Sequence, residues 1–358
     1  MSVLVAGGGV AGAAAACLLG PDCIVVERET GPHDKICGEF LSAEAIDYLS
    51  RLGLDLEALG AVPVRAVRLV RGDRVATAAL PFPALGLSRR ALDSALLERA
   101  SACGAAVVRG HAVRRVVEGV AEVAGLGRFP GHAVFLATGK HDLHGARRTP
   151  RRPPEDLVGL KMHFSMAEDQ AAELAEHVEL LLFRDGYGGL QPVEDGAANL
   201  CVLVERRRFL EAGRSWPGVQ AMLEAESPHL RRRLRGARAL LERPLTISLV
   251  PYGYVHVPGP ADPPDLYRLG DQAGVTPSFT GDGVSMALHG AFAAVRAHAA
   301  RDAAGYHRRL RRDIGVQVAR ASLVYRAGRA APGLVTETAR LWPGAMRWVA
   351  QFTRVAAS

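Results

Sequence analysis

Residues 2–27 read SVLVAGGGVAGAAAACLLGPDCIVVE, and this stretch decides the fold. The apolar residues before Gly7 predict a buried strand, residues 10–19 predict a helix of small side chains, and residues 23–26 predict a second strand. The turn between strand and helix is G-x-G-x-x-G, and Glu27 follows Gly7 by twenty residues. This arrangement is typical of a dinucleotide-binding α/β unit.

Each glycine of the turn has a physical reason. Gly7 makes the tight turn, Gly9 lets backbone amides approach a pyrophosphate, and Gly12 lets the helix pack closely on the strand. The free N–H groups at the start of the helix, around Val10 and Ala11, are expected to hold the anion. The alternative is a glycine-rich turn that binds nothing.

Glu27 is the predicted partner of the adenosine ribose. Its carboxylate is expected to accept hydrogen bonds from the ribose hydroxyls and to disfavour a 2′-phosphate. The fingerprint alone does not choose between NAD and FAD.

Composition excludes several other classes of protein. The chain has 358 residues, of which 49% are hydrophobic and 23% charged, so it is globular rather than disordered. Its net charge of +7 is too dilute over this length to indicate nucleic-acid binding. The five cysteines are scattered without metal-ligand spacing, so we expect no metal site and a reduced, cytoplasmic protein. Residues 2–20 lack a basic start and are interrupted by glycines, so we expect no integral membrane association.

A second motif follows the acidic residue. After Glu27-Arg28, residues 35–42 read KICGEFLS. This segment resembles the flavoproteins grouped around geranylgeranyl reductases and para-hydroxybenzoate-hydroxylase-like monooxygenases. The resemblance implies FAD as cofactor, with Arg28, Cys37 and Gly38 in its binding site.

Three further motifs carry the resemblance along the chain. LSRRALD (residues 87–93) implies that Arg89 lies beside the flavin, and ATGKHD (residues 137–142) places Gly139 close to the dinucleotide. YRLGDQAG (residues 267–274) implies that Asp271, after Gly270, binds the ribityl chain. The remaining implied cofactor residues belong to the loop and helix start that face the N1–C2 edge of the flavin: Pro277, Gly281, Asp282 and Gly283. NAD enzymes have no use for this last motif, so the ordered set favours FAD.

One departure from the family pattern matters for the reaction. Many aromatic hydroxylases of the para-hydroxybenzoate type carry a histidine shortly after the Gly-Asp pair. Here Gln272-Ala273-Gly274 follows, which is closer to the reductase branch.

The predicted fold class is α/β, with a Rossmann-type FAD-binding domain and an inserted, mainly antiparallel β-sheet that forms the substrate domain. We assign residues 1–58, 86–148 and 259–330 to the FAD-binding domain, and residues 59–85 and 149–258 to the substrate domain. Residues 331–358 form a C-terminal helical tail. We expect this tail to pack on the domain as core; the alternatives are that it shields a greasy substrate or touches a membrane surface.

Lys161 and His163 are the candidate catalytic residues. They share one face of the predicted strand VGLKMHF, because strand side chains repeat with period two. If that face points at the flavin, they bind substrate or orient a proton; otherwise both are passive.

The expected function is an FAD-dependent monooxygenase of secondary metabolism. NAD(P)H is the expected transient reductant, with a separate reductase as an alternative source of electrons. The substrate is expected to be a small-molecule or carrier-bound hydrophobic compound that is aromatic, polyketide-like or peptide-bound. A geranylgeranyl-reductase-like C=C reductase and a non-catalytic nucleotide-binding module are the alternatives. The W-x-W-x-I-P segment of flavin-dependent halogenases is absent from the sequence, so halogenation is not expected.

Overall fold

A computed structural model describes residues 3–117, 120–151, 153–259 and 262–354. Strands and helices are numbered below along the chain. Two large sheets, a small third sheet and eleven α-helices make up the described part.

A five-stranded parallel sheet forms the first layer. In spatial order its strands are β17 (Leu266–Arg268), β10 (Ala133–Leu136), β1 (Val3–Ala6), β2 (Cys23–Glu27) and β6 (Ala106–Arg109). The central strand β1 is apolar and fully buried, as expected for a parallel sheet covered on both faces. This strand order is that of a dinucleotide-binding α/β fold, which confirms the predicted fold class.

The two faces of the parallel sheet are covered differently. On one face, Val3 and Val5 pack in a core that five helices share. The helices are α1 (Val10–Leu19), α2 (Ala43–Arg51), α3 (Arg89–Ala102), α8 (Gly283–Ala299) and α9 (Ala303–Ala330). Leu4 and Ala6 point to the opposite face and pack on a three-stranded antiparallel sheet. Its strands are β7 (Val113–Val117), β8 (Val120–Val123) and β9 (Gly127–Pro130). The sequence analysis did not anticipate this small sheet.

A nine-stranded sheet forms the second lobe. On its main path lie, in spatial order, β15 (Arg238–Ala239), β11 (Leu157–Ser165), β14 (Ala197–Glu205), β13 (Gly186–Pro192), β12 (His177–Phe183), β4 (Val62–Arg71), β5 (Arg74–Gly86) and β3 (Phe40–Leu41). β16 (Leu245–Ser248) pairs with β11 off this path. All its pairs are antiparallel except β4 with β12, so the predicted mainly antiparallel sheet is confirmed.

Glycines at the start of β13 let the neighbouring strand approach closely. A Cβ added to Gly186 would lie 2.3 Å from the Leu203 carbonyl oxygen of β14. The second lobe also contains four short helices: α4 (Glu168–Leu174), α5 (Arg206–Glu211), α6 (Trp216–Glu226) and α7 (Pro228–Arg233).

The chain ends in α10 (Pro332–Leu341) and α11 (Pro343–Phe352), which we call the C-terminal helix pair. The pair packs on β5 and β4 of the nine-stranded sheet. Several large apolar side chains of the pair remain exposed, among them Leu341 at 80% and Trp342 at 66%. Among the described residues, no helix combines the length and apolar character needed to cross a bilayer.

Candidate cofactor and substrate site

The predicted motifs meet along one edge of the parallel sheet. Gly270 follows β17, Gly139 follows β10 and Gly7 follows β1, while Glu27 ends β2. These four strands are neighbours in that order, so their carboxyl ends bring the motifs side by side. Ligands of open α/β sheets bind at this edge.

A cavity of about 550 Å³ opens at this edge and continues between the nine-stranded sheet and the C-terminal helix pair. Many of the predicted cofactor residues line it: Gly9, Val10, Ala11, Cys37, Gly38, Arg89, Gly139, Gly270, Asp271, Gly281 and Gly283. Sequence motifs separated by more than 250 residues therefore share one cavity.

Two cations lie over Gly9. A Cβ added to Gly9 would lie 3.4 Å from Arg89 Nη2 and 3.5 Å from Lys35 Nζ. Asp93 contacts both cations. Its carboxylate accepts two hydrogen bonds of 2.8 Å from Arg89 and forms an ion pair of 2.8 Å with Lys35. Beside the N-terminus of α1, this charge suits an anionic group such as a pyrophosphate. Sequence reasoning did not assign Lys35 to the cofactor.

Glu27 ends β2 at the same edge of the parallel sheet; it is buried and does not line the cavity. Its carboxylate accepts hydrogen bonds from the Gly8 amide at 2.7 Å and the Glu29 amide at 3.0 Å. Burial opposes its ionisation, but these hydrogen bonds and the positive charge of Lys35 hold its pKa below the ordinary value. Arg28, in contrast, pairs with Glu29 at the surface and does not line the cavity.

The loops that follow β10 and β17, which are the second and third predicted cofactor loops, are fastened to each other. Lys140 forms an ion pair of 3.1 Å with Asp271, and this attraction raises the pKa of Lys140. Arg148 donates to the carbonyl oxygens of Lys140 and Asp271, at 2.7 and 3.2 Å. Gln272 donates to the carbonyl oxygen of Gly139 at 2.8 Å. Thus Gln272 fastens the loop after β17 to the loop after β10.

The loop that begins α8 leaves room for a ligand. A Cβ added to Gly139 or Gly283 would meet no atom within 4 Å, so open space lies above both backbones. Buried hydroxyls that line the cavity here have no hydrogen-bond partner among the described residues: Thr276 Oγ1 and Thr280 Oγ1. Free donors, open backbone and cations near Gly9 fit an extended, anionic dinucleotide such as FAD.

Four of the predicted cofactor residues are near this site without lining it. Gly7 and Gly12 pack the turn itself, and a Cβ on Gly12 would come within 1.9 Å of the Gly7 carbonyl oxygen. Pro277 precedes a short 3₁₀ turn, and Asp282 is buried at the start of α8.

The candidate catalytic pair contacts Glu39 rather than the cavity. Lys161 is fully buried and pairs with Glu39 Oε1, while His163 Nε2 lies 2.7 Å from Glu39 Oε2. Neither Lys161 nor His163 lines the cavity. Burial opposes the charge of Glu39, but His163 and Lys161 outweigh it and hold the Glu39 pKa below the ordinary value.

Glu39 links the two lobes. It adopts a positive φ of 63°, and its carboxylate also accepts from the Arg89 amide at 2.7 Å. Gln191 of β13 donates to its carbonyl oxygen at 2.7 Å. Asp34, Glu39 and His163 bring three potential metal-ligand atoms within 4.8 Å of one another. The Lys161 ammonium already occupies Glu39, which opposes a second cation there.

Beyond the cofactor loops the cavity wall is apolar. We call this part the chamber. It is lined mainly by aliphatic and aromatic side chains of the nine-stranded sheet, the loops and the C-terminal helix pair, including Leu69, Leu180, Leu203, Tyr252, Phe279, Val335, Met346 and Val349. Leu334 and Thr338 of α10 line the chamber and are also exposed, so it opens to solvent at α10. The helix pair therefore forms one wall of the chamber.

Comparisons by sequence identify no relative. No protein-family model matches the sequence, and no curated protein is significantly similar to it.

Solved structures share the fold over nearly the whole chain. The flavin-dependent brominase Bmp2 is 18% identical with a TM-score of 0.78, covering 98% of this chain and 93% of that protein. PqsL of P. aeruginosa, in complex with 2-aminobenzoylacetate, is 18% identical with a TM-score of 0.73, covering 92% and 96%. The myxobacterial chondrochloren halogenase CndH is 19% identical with a TM-score of 0.71, covering 87% and 79%. The chain thus has the fold of the flavin-dependent halogenases and of PqsL.

Proposed function

We propose that this protein is an FAD-dependent oxidoreductase, and specifically a monooxygenase that acts on a hydrophobic small molecule. One observation carries the proposal: Gly9, Gly139, Asp271 and Gly283 line a single cavity that continues into an apolar chamber. The fold shared with flavin-dependent enzymes supports the same conclusion.

The residues of the chain divide the binding of FAD among them. Lys35, Arg89 and the N-terminus of α1 hold the pyrophosphate, and Glu27 holds the adenosine ribose. Asp271 binds the ribityl chain, and the amides around Gly283 stabilise negative charge at the N1–C2 edge. When bound, FAD supplies the redox chemistry, which in this class is the transfer of hydride and the activation of O2.

The chamber binds and shields the substrate. Its apolar wall offers few hydrogen bonds to water, so an apolar substrate displaces water from the chamber at little cost. Aromatic or polyketide-like compounds of secondary metabolism are the substrate class that this lining favours. NAD(P)H, or a separate reductase, supplies the electrons through the same cavity.

The C=C reductase remains the second candidate. The observation in its favour is the stretch Gln272-Ala273-Gly274 after the Gly-Asp pair, which resembles the reductase branch. Within it, Gln272 donates to the carbonyl oxygens of Gly139 and His141. A reductase needs the same cofactor cavity and the same apolar chamber. Only the reaction product therefore distinguishes a reductase from a monooxygenase.

The cofactor assignment is tested first. Purified protein is expected to be yellow, and Gly9→Val, Glu27→Ala and Asp271→Ala are each expected to lower FAD occupancy, measured from flavin absorbance. Gly315→Ala is the control, since a Cβ there meets no atom within 4 Å. Full occupancy in all three variants would disprove the cofactor assignment.

The reaction is tested with a panel of apolar aromatic substrates. Incorporation of ¹⁸O from ¹⁸O₂ establishes a monooxygenase, whereas a saturated product formed under argon establishes a reductase. A parallel reaction with bromide tests the sequence argument against halogenation. Tightly bound flavin that NAD(P)H, dithionite and partner reductases all fail to reduce would indicate a non-catalytic nucleotide-binding module.

A further inference from the structure

The end of the described chain lies against the flavin-binding loop. Arg354 follows α11, and its side chain is 11% exposed and lines the cavity beside Thr280 and Gly281. No motif in the sequence singles it out, because it is separated from the third cofactor loop by more than 70 residues.

Arg354 makes three contacts with the core of the site. Its Nη2 donates to the Thr280 carbonyl oxygen at 2.7 Å, and its Nη1 lies 3.1 Å from Asp282 Oδ1. The guanidinium group also lies 4.5 Å from the centre of the Phe82 ring on β5, within cation–π distance. A residue of the chain terminus thus bridges the nine-stranded sheet and the start of α8.

Asp282 requires such a partner. Its side chain is 1% exposed, so its carboxylate is withdrawn from water. Burial raises its pKa to about 6, while Arg354 acts in the opposite direction. Within the described ranges, Arg354 is the only cation paired with Asp282. Removal of one partner of a buried pair leaves an uncompensated charge and strongly destabilises its surroundings.

We propose that Arg354 is a positioning residue of the flavin-binding loop, and that it couples cofactor binding to the closure of the C-terminal helix pair over the chamber. This inference rests on the proposed function, since it takes the loop from Thr280 to Gly283 to be a flavin contact. The side chain neutralises Asp282 and holds the Thr280 carbonyl, so that the amides around Gly283 keep one arrangement. The same contacts fix the end of α11.

Coupling of this kind is reciprocal. If Arg354 links the two elements, FAD binding stabilises the helix pair by the same free energy that the closed helix pair contributes to FAD binding. The helix pair is the element that would respond, because none of the residues of α11 is buried.

The experiment compares Arg354→Ala with Arg354→Lys and with the control Arg347→Ala. Arg347 lies on α11 and is exposed. FAD affinity is measured by titration of the apoprotein, and hydrogen exchange of residues 332–352 is measured with and without FAD. We expect Arg354→Ala to weaken FAD binding about tenfold or more, Arg354→Lys to restore part of the loss, and Arg347→Ala to bind as wild type.

Hydrogen exchange in the helix pair distinguishes coupling from a local effect. If Arg354 acted only on the flavin-binding loop, FAD would not change exchange in the helix pair. FAD is expected to slow exchange in the helix pair of the wild type and of Arg347→Ala, but not of Arg354→Ala. Asp282→Asn tests the pair: combined with Arg354→Ala, it is expected to recover part of the lost affinity, because no buried charge remains. Circular dichroism verifies that each variant is folded.

The outcomes separate the two proposals. Wild-type protein that refuses FAD would overturn the proposed function and this inference with it. Wild-type protein that binds FAD, with Arg354→Ala binding equally well or the helix pair insensitive to FAD in the wild type, would overturn only the inference.

Discussion

Glu39 carries more interactions than any other residue that the sequence motifs brought forward. Its carboxylate contacts Lys161, His163 and the Arg89 amide, and its backbone oxygen accepts from Gln191. Because the side chains of Lys161 and His163 both contact the Glu39 carboxylate, their geometry supports a role in positioning Glu39.

Lys161→Met is expected to destabilise the fold. The substitution leaves the buried Glu39 carboxylate short of its cation, which costs about 3–5 kcal/mol of the free energy of unfolding. Urea denaturation of the FAD-free protein measures the change. Lys161→Met combined with Glu39→Leu should recover part of it. Wild-type stability with turnover abolished would instead favour a direct catalytic role for Lys161.

Glu39 is also expected to contribute to acid sensitivity. Its folded pKa lies below the ordinary 4.5, so its stabilising contribution is fully present above about pH 4.5 and is lost as pH falls through the lower folded value. Glu39→Gln should therefore differ most from wild type at neutral pH, with the gap in unfolding free energy closing under acid. Exposed Glu242 provides the control, as Glu242→Gln should leave the pH dependence unchanged.

Among the elements, the C-terminal helix pair decides what the chamber can hold. Met346 lines the chamber, whereas Leu341 points to solvent with 80% of its surface exposed. A larger side chain at position 346 would occupy the chamber, whereas a larger side chain at position 341 would extend into solvent.

Met346→Trp is therefore expected to weaken binding of a neutral apolar fluorophore such as Nile red by about 1–3 kcal/mol, the usual effect of overpacking. Fluorescence titration of FAD-loaded protein measures it. Leu341→Trp should bind the fluorophore as wild type does. Equal loss in both variants would mean that the fluorophore binds on the outer face of the helix pair.

The parallel sheet was predictable from sequence because its signals are local. Gly7, Gly139 and Gly270 each follow a short apolar strand, so a strand–glycine pattern marked each cofactor loop. The long-range parts of the site were not predictable. Arg354 reaches Asp282 through tertiary packing alone. The pairing of Lys161 with Glu39 was not predicted either, because a period of two fixes a face of a strand but not what covers that face.

At the scale of the whole molecule, the cofactor is expected to join distant segments into one unit. FAD should stabilise the protein by about 2.7 kcal/mol when its free concentration is about 100 times Kd. Thermal unfolding of apoprotein with and without FAD measures the effect. FMN, which lacks the adenosine that Glu27 holds, should give a smaller shift at equal concentration. Equal shifts with FMN and FAD would contradict the assigned adenosine site.

The order of strands along the chain has a consequence for biosynthesis. β17, the last strand of the parallel sheet, leaves the ribosome only after every strand of the nine-stranded sheet, since it spans Leu266–Arg268. At about 5–20 residues per second, the first four strands wait many seconds for this edge partner and for α8 behind it. The nascent chain therefore carries an unfinished nucleotide-binding lobe with an open strand edge for much of its translation, and it is in this interval that chaperones have most to protect.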